Sequence, residues 1–238
     1  MKTCARSAIP NSIRSRNSMA ERANSCSDLA VEKQVATRFP VIPVLLNRWS
    51  PRSFIGEMPP SGQLGSLFEA ARLAPSAHNS QPVRFLLGRK GMGDTWDRLF
   101  GCLSEDNQAW ASAAPVLILA SVMRERFSQD RGDFVPYPHA MHDLGLAVMS
   151  LIVQAHAMDL HAHPMAAFEP DQAQAEFHIP TLFAPAMMIA VGYRGRPDLL
   201  PSSLGARERG PRVRRALEEI VFEDDWGLAS SLFAARGS

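Results

Sequence analysis

The chain has 238 residues, 46% hydrophobic and 21% charged, with a formal net charge of +1. That length can bury one sizeable core, and so even a charge balance argues against a chain built as a whole to hold nucleic acid or an anionic membrane. The three cysteines, Cys4, Cys26 and Cys102, form no CxxC pair; this speaks against a disulfide scaffold or cysteine zinc site and suits a reducing compartment, the cytoplasm.

Residues 1–18 carry Lys2, Arg6, Arg14 and Arg16, no acid, and many Ser and Asn. They lack the apolar run of a secretory signal. A disordered basic tail, an extension upstream of a start at Met19, and an organelle transit peptide share this composition. The expected organisation is a disordered extension over residues 1–39 and a single domain over residues 40–238.

Residues 41–47 read as a helical turn leading into Arg48. Pro51 removes a backbone donor, so residues 48–54 do not read as a central strand. Ser61 is a candidate N-cap for a helix reaching Leu73, with Leu64, Leu67, Phe68 and Ala71 near helical spacing. A polar loop, Asn79-Ser80-Gln81-Pro82, precedes a strand over residues 83–88. Residues 91–102 read as a helix, and Asp106 or Asn107 as the cap of a short helix running to Ala114. The continuous apolar run over residues 115–122 is a buried strand.

Residues 132–138 are turn-rich and read as a loop. Residues 139–160 form the longest helix, apolar on nearly every face, and so belong in the core or an interface. Gln154 and His156 interrupt it before it reaches the length of a membrane span. A short helix over residues 170–177, a second buried strand over residues 185–193, and a Pro-, Gly- and Arg-rich arm from Gly195 complete the chain. The order implies an α+β fold without βαβ alternation.

No GxGxxG after a strand, GxxxxGK[ST], HExxH or GxSxG is present, so no dinucleotide fingerprint, P-loop, zincin or nucleophile elbow can be read. His139 and His142, and His161 and His163, are paired in sequence without an obvious third ligand. Surface or core histidines are the expected reading over a metal site.

Arg48-Trp49-Ser50-Pro51-Arg52 offers two guanidinium forks around a hydroxyl, a set suited to phosphate. Lys2, Lys33 and Lys90 are the only lysines among 25 basic residues, so arginine-rich sequence alone is a weak signal here. Further along come Ala70-Ala71-Arg72-Leu73-Ala74-Pro75-Ser76-Ala77-His78-Asn79-Ser80-Gln81-Pro82, then Asn107-Gln108-Ala109-Trp110, and Arg212-Val213-Arg214 near the end. Over residues 43–226 the chain resembles the nitroreductase family of FMN enzymes.

That resemblance implies a central, mostly antiparallel sheet flanked by helices, a long buried helix, an extended C-terminal arm, and a homodimer with shared sites. It implies FMN as cofactor and NADH or NADPH as hydride donor. Hydride would pass through flavin N5 to a small acceptor such as a nitroaromatic, quinone or enone. A specialised reduction or dehydrogenation, or a flavin-binding protein with little turnover, is the alternative.

Arg48 is implied for phosphate, with Trp49 and Ser50 beside it, and Arg52 for the pyrimidine edge, where a cation stabilises developing negative charge. Asn107 is implied at the same edge, and Arg212 and Arg214 closing on the phosphate. Pro75, Ser76, Ala77, Asn79 and Gln81 are implied to meet the flavin held mainly by the other subunit, with His78 toward substrate. Taken singly, Asn79 also reads as a turn residue, Asn107 as a cap, and Arg214 as a partner of Glu218. Ala166 and Ala167 stand where the family carries an acidic or glycine residue followed by glycine, with backbone amides implied to face flavin N5 and O4; alanine keeps the amide but adds a methyl and disfavours positive φ, which would alter reactivity at N5. Trp110 stands where some members carry a basic residue.

Overall fold

A computed structural model describes residue 33 and residues 35–233 of the chain. The described residues belong to one unit that begins at Lys33, ahead of the boundary expected at residue 40. The reason is local: Arg38 donates to Glu218 Oε1 at 2.8 Å and to the Phe233 carbonyl at 2.7 Å, and the Phe39 ring meets Phe233 edge-on at 6.0 Å. The rest of the expected extension, residues 1–32 and 34, lies outside the described residues.

In chain order the elements are α1 (Pro43–Asn47), α2 (Ser61–Arg72), β1 (Val83–Arg89), α3 (Thr95–Gly101), α4 (Glu105–Ala111), β2 (Val116–Met123), β3 (Glu125–Ser128), β4 (Asp133–Pro136), α5 (Ala140–Ala157), β5 (His161–Met165), α6 (Pro170–Glu176), β6 (Phe183–Gly192) and α7 (Ser202–Arg209). The main sheet runs β1-β2-β6-β5, with every neighbouring pair antiparallel. This is the expected α+β fold, and helices cover both faces.

Period-two alternation divides β2 between two cores. Val116, Ile118, Ala120 and Val122 pack toward α2 and α5, whereas Leu117 and Leu119 pack toward Trp96, Leu99 and Trp110. A strand buried on both faces reads as an unbroken apolar run, which is why the sequence marks it so clearly. The prolines sit where a lost donor costs least. Pro164 lies on the edge strand β5, and Pro185 opposite the register shift between Ala120 and Ser121.

The long helix α5 buries the stripe Leu144, Ala147, Val148, Leu151, Ile152 and Ala155 against the sheet and α2. It is not buried all round, however: Met141 and Met149 are 57% and 38% exposed, on the same open side as Gly145.

Four local expectations are corrected. Ser61 is the first helical residue of α2; Pro60 occupies the cap without a side-chain bond. The helix expected from residue 91 begins at Thr95, because Gly91 and Gly93 adopt φ of 74° and 73° and turn the chain after β1. Residues 125–136 form a hairpin, its turn eased by Gly132 at φ 65°, with Phe127 and Phe134 edge to face at 5.6 Å. The arm after Gly195 contains α7, whose Gly205 lies so close to Pro197 that a Cβ would stand 2.8 Å from its carbonyl oxygen.

Gly88 in β1 shows how tightly α3 rests on the sheet: a Cβ there would stand 2.7 Å from the Trp96 Cα. Since backbone cannot rotate away, Gly88→Ala is expected to lower unfolding free energy by about 1–3 kcal/mol. Gly56→Ala, with nothing within 4 Å of the added carbon, serves as the control in urea unfolding. Equal midpoints for wild type and Gly88→Ala would contradict this packing.

Candidate active site

Helix α1 ends at Arg48, whose extended backbone (φ −68°, ψ 141°) turns the chain into residues 48–54. This segment runs antiparallel beside residues 193–196. Ile55 N donates to Tyr193 O at 3.1 Å, Gly195 N to Ser53 O at 2.9 Å, and Ser53 Oγ to Arg196 O at 2.6 Å. Extended backbone alternates its side chains. Trp49, Pro51 and Ser53 are buried, while Arg48, Ser50 and Arg52 are half-buried on the opposite side. The alternation thus aligns three of the predicted residues and turns Trp49, 8% exposed, inward as a packing residue.

Arg212 closes on this wall from the far end of the chain. Its guanidinium donates to the Leu46 carbonyl at 2.6 Å and to that of Arg48, while its Nε is buried without a partner. Arg48 has no carboxylate partner among the described residues. Burial lowers its pKa, and the charges of Arg212 and Arg214 lower it further. Arg212 is depressed by burial and by Arg214. The alternative Arg214–Glu218 pair does not form: Glu218 holds Arg38, and Arg215 holds Glu219 at 3.2 Å. Among the described residues three guanidinium groups thus converge with no carboxylate between them.

Arg52 is positioned by a residue the sequence did not single out. Glu208, 1% exposed on α7, accepts from Arg52 N at 3.0 Å and Ser53 N at 3.5 Å through Oε1, while Oε2 is buried and unpartnered. Burial raises the Glu208 pKa, against those amides and the charges of Lys33 and Arg52. Nothing within Ala206-Arg207-Glu208-Arg209 marks that glutamate as buried.

Beneath the wall, His163 Nδ1 donates to the Pro51 carbonyl at 2.9 Å, and burial lowers its pKa to about 4. Its ring packs on Trp110 at 4.6 Å, and Trp110 is 2% exposed, a core residue. Past the end of β5, Ala166 and Ala167 are exposed and neither has positive φ, so their methyl groups cause no backbone strain. Asn107 is not a cap: it lies within α4, after the cap Ser104, and its amide donates to Ala167 O at 2.8 Å.

The remaining predicted residues lie elsewhere. His78, Asn79 and Gln81 all have left-handed backbones, with φ of 54°, 54° and 47°. For residues other than glycine that costs on the order of 1–2 kcal/mol each. Asp143, in the first turn of α5, accepts from Ala77 N at 3.2 Å through both oxygens, from Tyr137 Oη at 2.7 Å and from His142 Nδ1 at 3.0 Å. Burial would raise the Asp143 pKa, but these donors outweigh it and hold it below the usual carboxylate range. Asp143 did carry a sequence signal, as the lone acid in an apolar helix.

His156, near the other end of α5, has its pKa lowered by burial and then by the Arg48 charge. From Asp143 to His156 the helix rises about 20 Å. Within one chain the loop of Pro75, Ser76, Ala77, His78, Asn79 and Gln81 therefore does not join the arginines. It borders a cavity of about 460 Å³ lined by Phe68, Phe85, Pro75, Ser76, Gln81 and Asp143. Among the described residues, no cluster of three or more His, Cys, Asp or Glu could hold a metal, and no helix is long and apolar enough to cross a membrane.

The model of the family described as "Nitroreductase family" matches residues 45–99 and 99–193. A Mycolicibacterium smegmatis protein described as an uncharacterized 15.4 kDa protein in ask 5'region is 32% identical over 153 residues, covering 61% of this chain and 98% of that protein. A Stutzerimonas stutzeri (strain A1501) protein with the provisional name NADH dehydrogenase/NAD(P)H nitroreductase is 28% identical over 173 residues, 65% of this chain and 81% of that protein. Among solved structures, "the oxidoreductase containing FMN" superposes with a TM-score of 0.76 at 35% identity, covering 80% of this chain and 95% of the other.

Glu208 provides a test of the site's electrostatics. Its pKa is higher folded than unfolded, so the native state binds more protons once pH exceeds the unfolded value, and stability falls as pH rises through that window. Glu208→Gln keeps an oxygen for the Arg52 and Ser53 amides and removes the charge. Urea unfolding from pH 4.5 to 7 should show the wild type losing stability relative to the variant; parallel profiles would refute the raised pKa.

Proposed function

The chain belongs to the nitroreductase family, and on that footing we propose that it is an FMN-dependent oxidoreductase, passing hydride from NADH or NADPH to a small acceptor such as a nitroaromatic, quinone or enone. The observation that carries this reading is the convergence of Arg48, Arg212 and Arg214 around a buried, unpartnered Arg212 Nε. Like charges held together without a counter-ion fit a dianionic phosphate, which would satisfy the orphaned donor and relieve the repulsion. The similar solved oxidoreductase is described as containing FMN, and the S. stutzeri relative is named for NAD(P)H.

FMN would supply a two-electron centre able to take hydride from a reduced nicotinamide and return it to an acceptor. The protein's share is to bind, orient and polarise. Arg48, Arg212 and Arg214 hold the phosphate, with Ser50 beside them. Arg52, its backbone pinned by Glu208, sets a positive charge at the pyrimidine edge. His163 and Trp110 add none: one is held neutral by burial, the other belongs to the core. Asn107 ties α4 to Ala167, fixing the exposed amides of Ala166 and Ala167.

The separation of loop and arginines supports a homodimer: residues 75–81 of one copy, with His78 toward substrate, would complete the site of the other. The open face of α5 at Met141, Gly145 and Met149 suits such an interface. The buried free thiol of Cys102 fits a cytoplasmic location.

Purified protein mixed with FMN should retain it and absorb in the visible range. Arg48→Ala and Arg212→Ala should each weaken binding about 10- to 100-fold, the worth of a charge-assisted hydrogen bond; protein that stays colourless would end the reading. Oxidation of NADH or NADPH with a quinone as acceptor separates an enzyme from a flavin holder.

The interface is checked independently. Gly145→Arg should spare the folded chain, since nothing lies within 4 Å of an added Cβ. It should shift sedimentation from dimer to monomer and weaken FMN. A monomeric variant with wild-type affinity would show that the site is not shared.

A further inference from the structure

The loop at residues 77–81 is built in a shape its own sequence opposes. His78, Asn79 and Gln81 are all left-handed and none is glycine. Something outside the loop must hold it, and donor counting identifies what. A phenol has one hydrogen. Tyr137 Oη stands 2.7 Å from Asp143 Oδ2 and 3.1 Å from the Ala77 carbonyl. The shorter, charged acceptor takes the proton. Tyr137 Oη is then left to accept from the Ser80 hydroxyl, with which it is in contact.

The result is a directed chain, Ser80 to Tyr137 to Asp143, that meets the Ala77 amide on the same carboxylate. Residues 77 and 80 are thus both tied to Asp143, and His78 and Asn79 lie between the ties. The carboxylate is 1% exposed and the Tyr137 ring 4% exposed, so neither anchor is weakened by water. A second brace sits on the loop's other side, where Gln81 N donates to Ser76 Oγ at 3.0 Å. The side chains of His78, Asn79 and Gln81 remain exposed. The backbone is held from beneath while the tip faces outward.

We propose that Asp143 and Tyr137 are positioning residues that pre-form this loop for the cofactor held by a second copy of the chain. The inference rests on the flavin reading above and extends it to residues that touch neither cofactor nor substrate. A loop already in its bound shape loses no further conformational freedom on binding, so the clamp acts through affinity and orientation.

The test uses the full-length protein. FMN is titrated into wild type, Tyr137→Phe, Asp143→Asn and Arg48→Ala, following flavin fluorescence and the shape of the visible bands. Thermal midpoints of the apo-proteins are measured alongside. Tyr137→Phe cuts the chain at its middle link and is expected to weaken FMN about tenfold and change the band shape, the scale of one buried hydrogen bond. Asp143→Asn unties both ends and should weaken it further. If Asp143→Asn does not fold, Tyr137→Phe alone decides.

A lowered midpoint with wild-type FMN affinity and spectrum in Tyr137→Phe would mean a structural role only, and overturns the proposal. In that case weakened binding by Arg48→Ala leaves the flavin reading standing. A wild type that binds no FMN removes the flavin reading and this proposal together.

Discussion

The carboxylate of Glu208 fastens the last part of the fold to the segment that carries the site. It accepts from the amides of Arg52 and Ser53, more than 150 residues away in sequence. With the pairing to residues 193–196, those two bonds hold the register of residues 48–54, and register decides which side chains of an extended segment point in and which point out. Because Ser53 turns inward, Arg48, Ser50 and Arg52 turn the other way. The contact in turn depends on Gly205, whose missing Cβ lets α7 settle against the Pro197 carbonyl. A burial cost at Glu208, seen in its raised pKa, thus maintains the alignment of several arginines.

Positive charge at this wall is concentrated by what surrounds it. β5 brings His161 and His163 to the region, and burial lowers their pKa values to about 3 and about 4, so both are neutral near pH 7. Burial lowers the Arg52 pKa, the Arg207 charge lowers it further, and Glu208 opposes both. The guanidinium groups are the fixed cations, and their mutual repulsion is offset only where a carboxylate reaches them. At Arg52 one does. At Arg48 none does among the described residues, so an anion gains most there.

The parts of this fold that the sequence reveals are those with a single strong period. Strand β2 is apolar at every step but Ser121, and α5 carries apolar residues at spacings of three and four, so both were legible with near-correct ends. The β3–β4 hairpin was not: Glu-Arg-Phe-Ser and Asp-Phe-Val-Pro are largely exposed and pack on no core, so hydrophobic patterning has nothing to report. Helix α7, Ser-Ser-Leu-Gly-Ala-Arg-Glu-Arg, has no apolar stripe and is located by Gly205 and Glu208, whose roles exist only in three dimensions. The candidate arginines were legible through resemblance, the alternation among them only through the backbone. The alternative cap reading of Asn107 fails because an amide near a helix start serves equally well as a tie to another segment. Trp49 faces away from Arg48 and Ser50 because neighbours in an extended chain point to opposite sides, which their adjacency in sequence does not reveal.

Two features of the chain cost stability within the single copy. Arg48, Arg212 and Arg214 repel one another, and the loop at residues 77–81 holds three left-handed non-glycine residues. Local rules tend to be broken where function requires it. Here the two violations lie toward opposite ends of α5, which rises about 20 Å from Asp143 to His156. On the proposed reading, a cofactor phosphate offsets the first, and the second is repaid only when the loop meets a cofactor on a second copy. Cofactor affinity and association would then be linked, each ligand stabilising the state the other requires. On that reading the length of α5 sets the division, since it holds loop and arginines apart within one chain, and its open face would lie between the two halves.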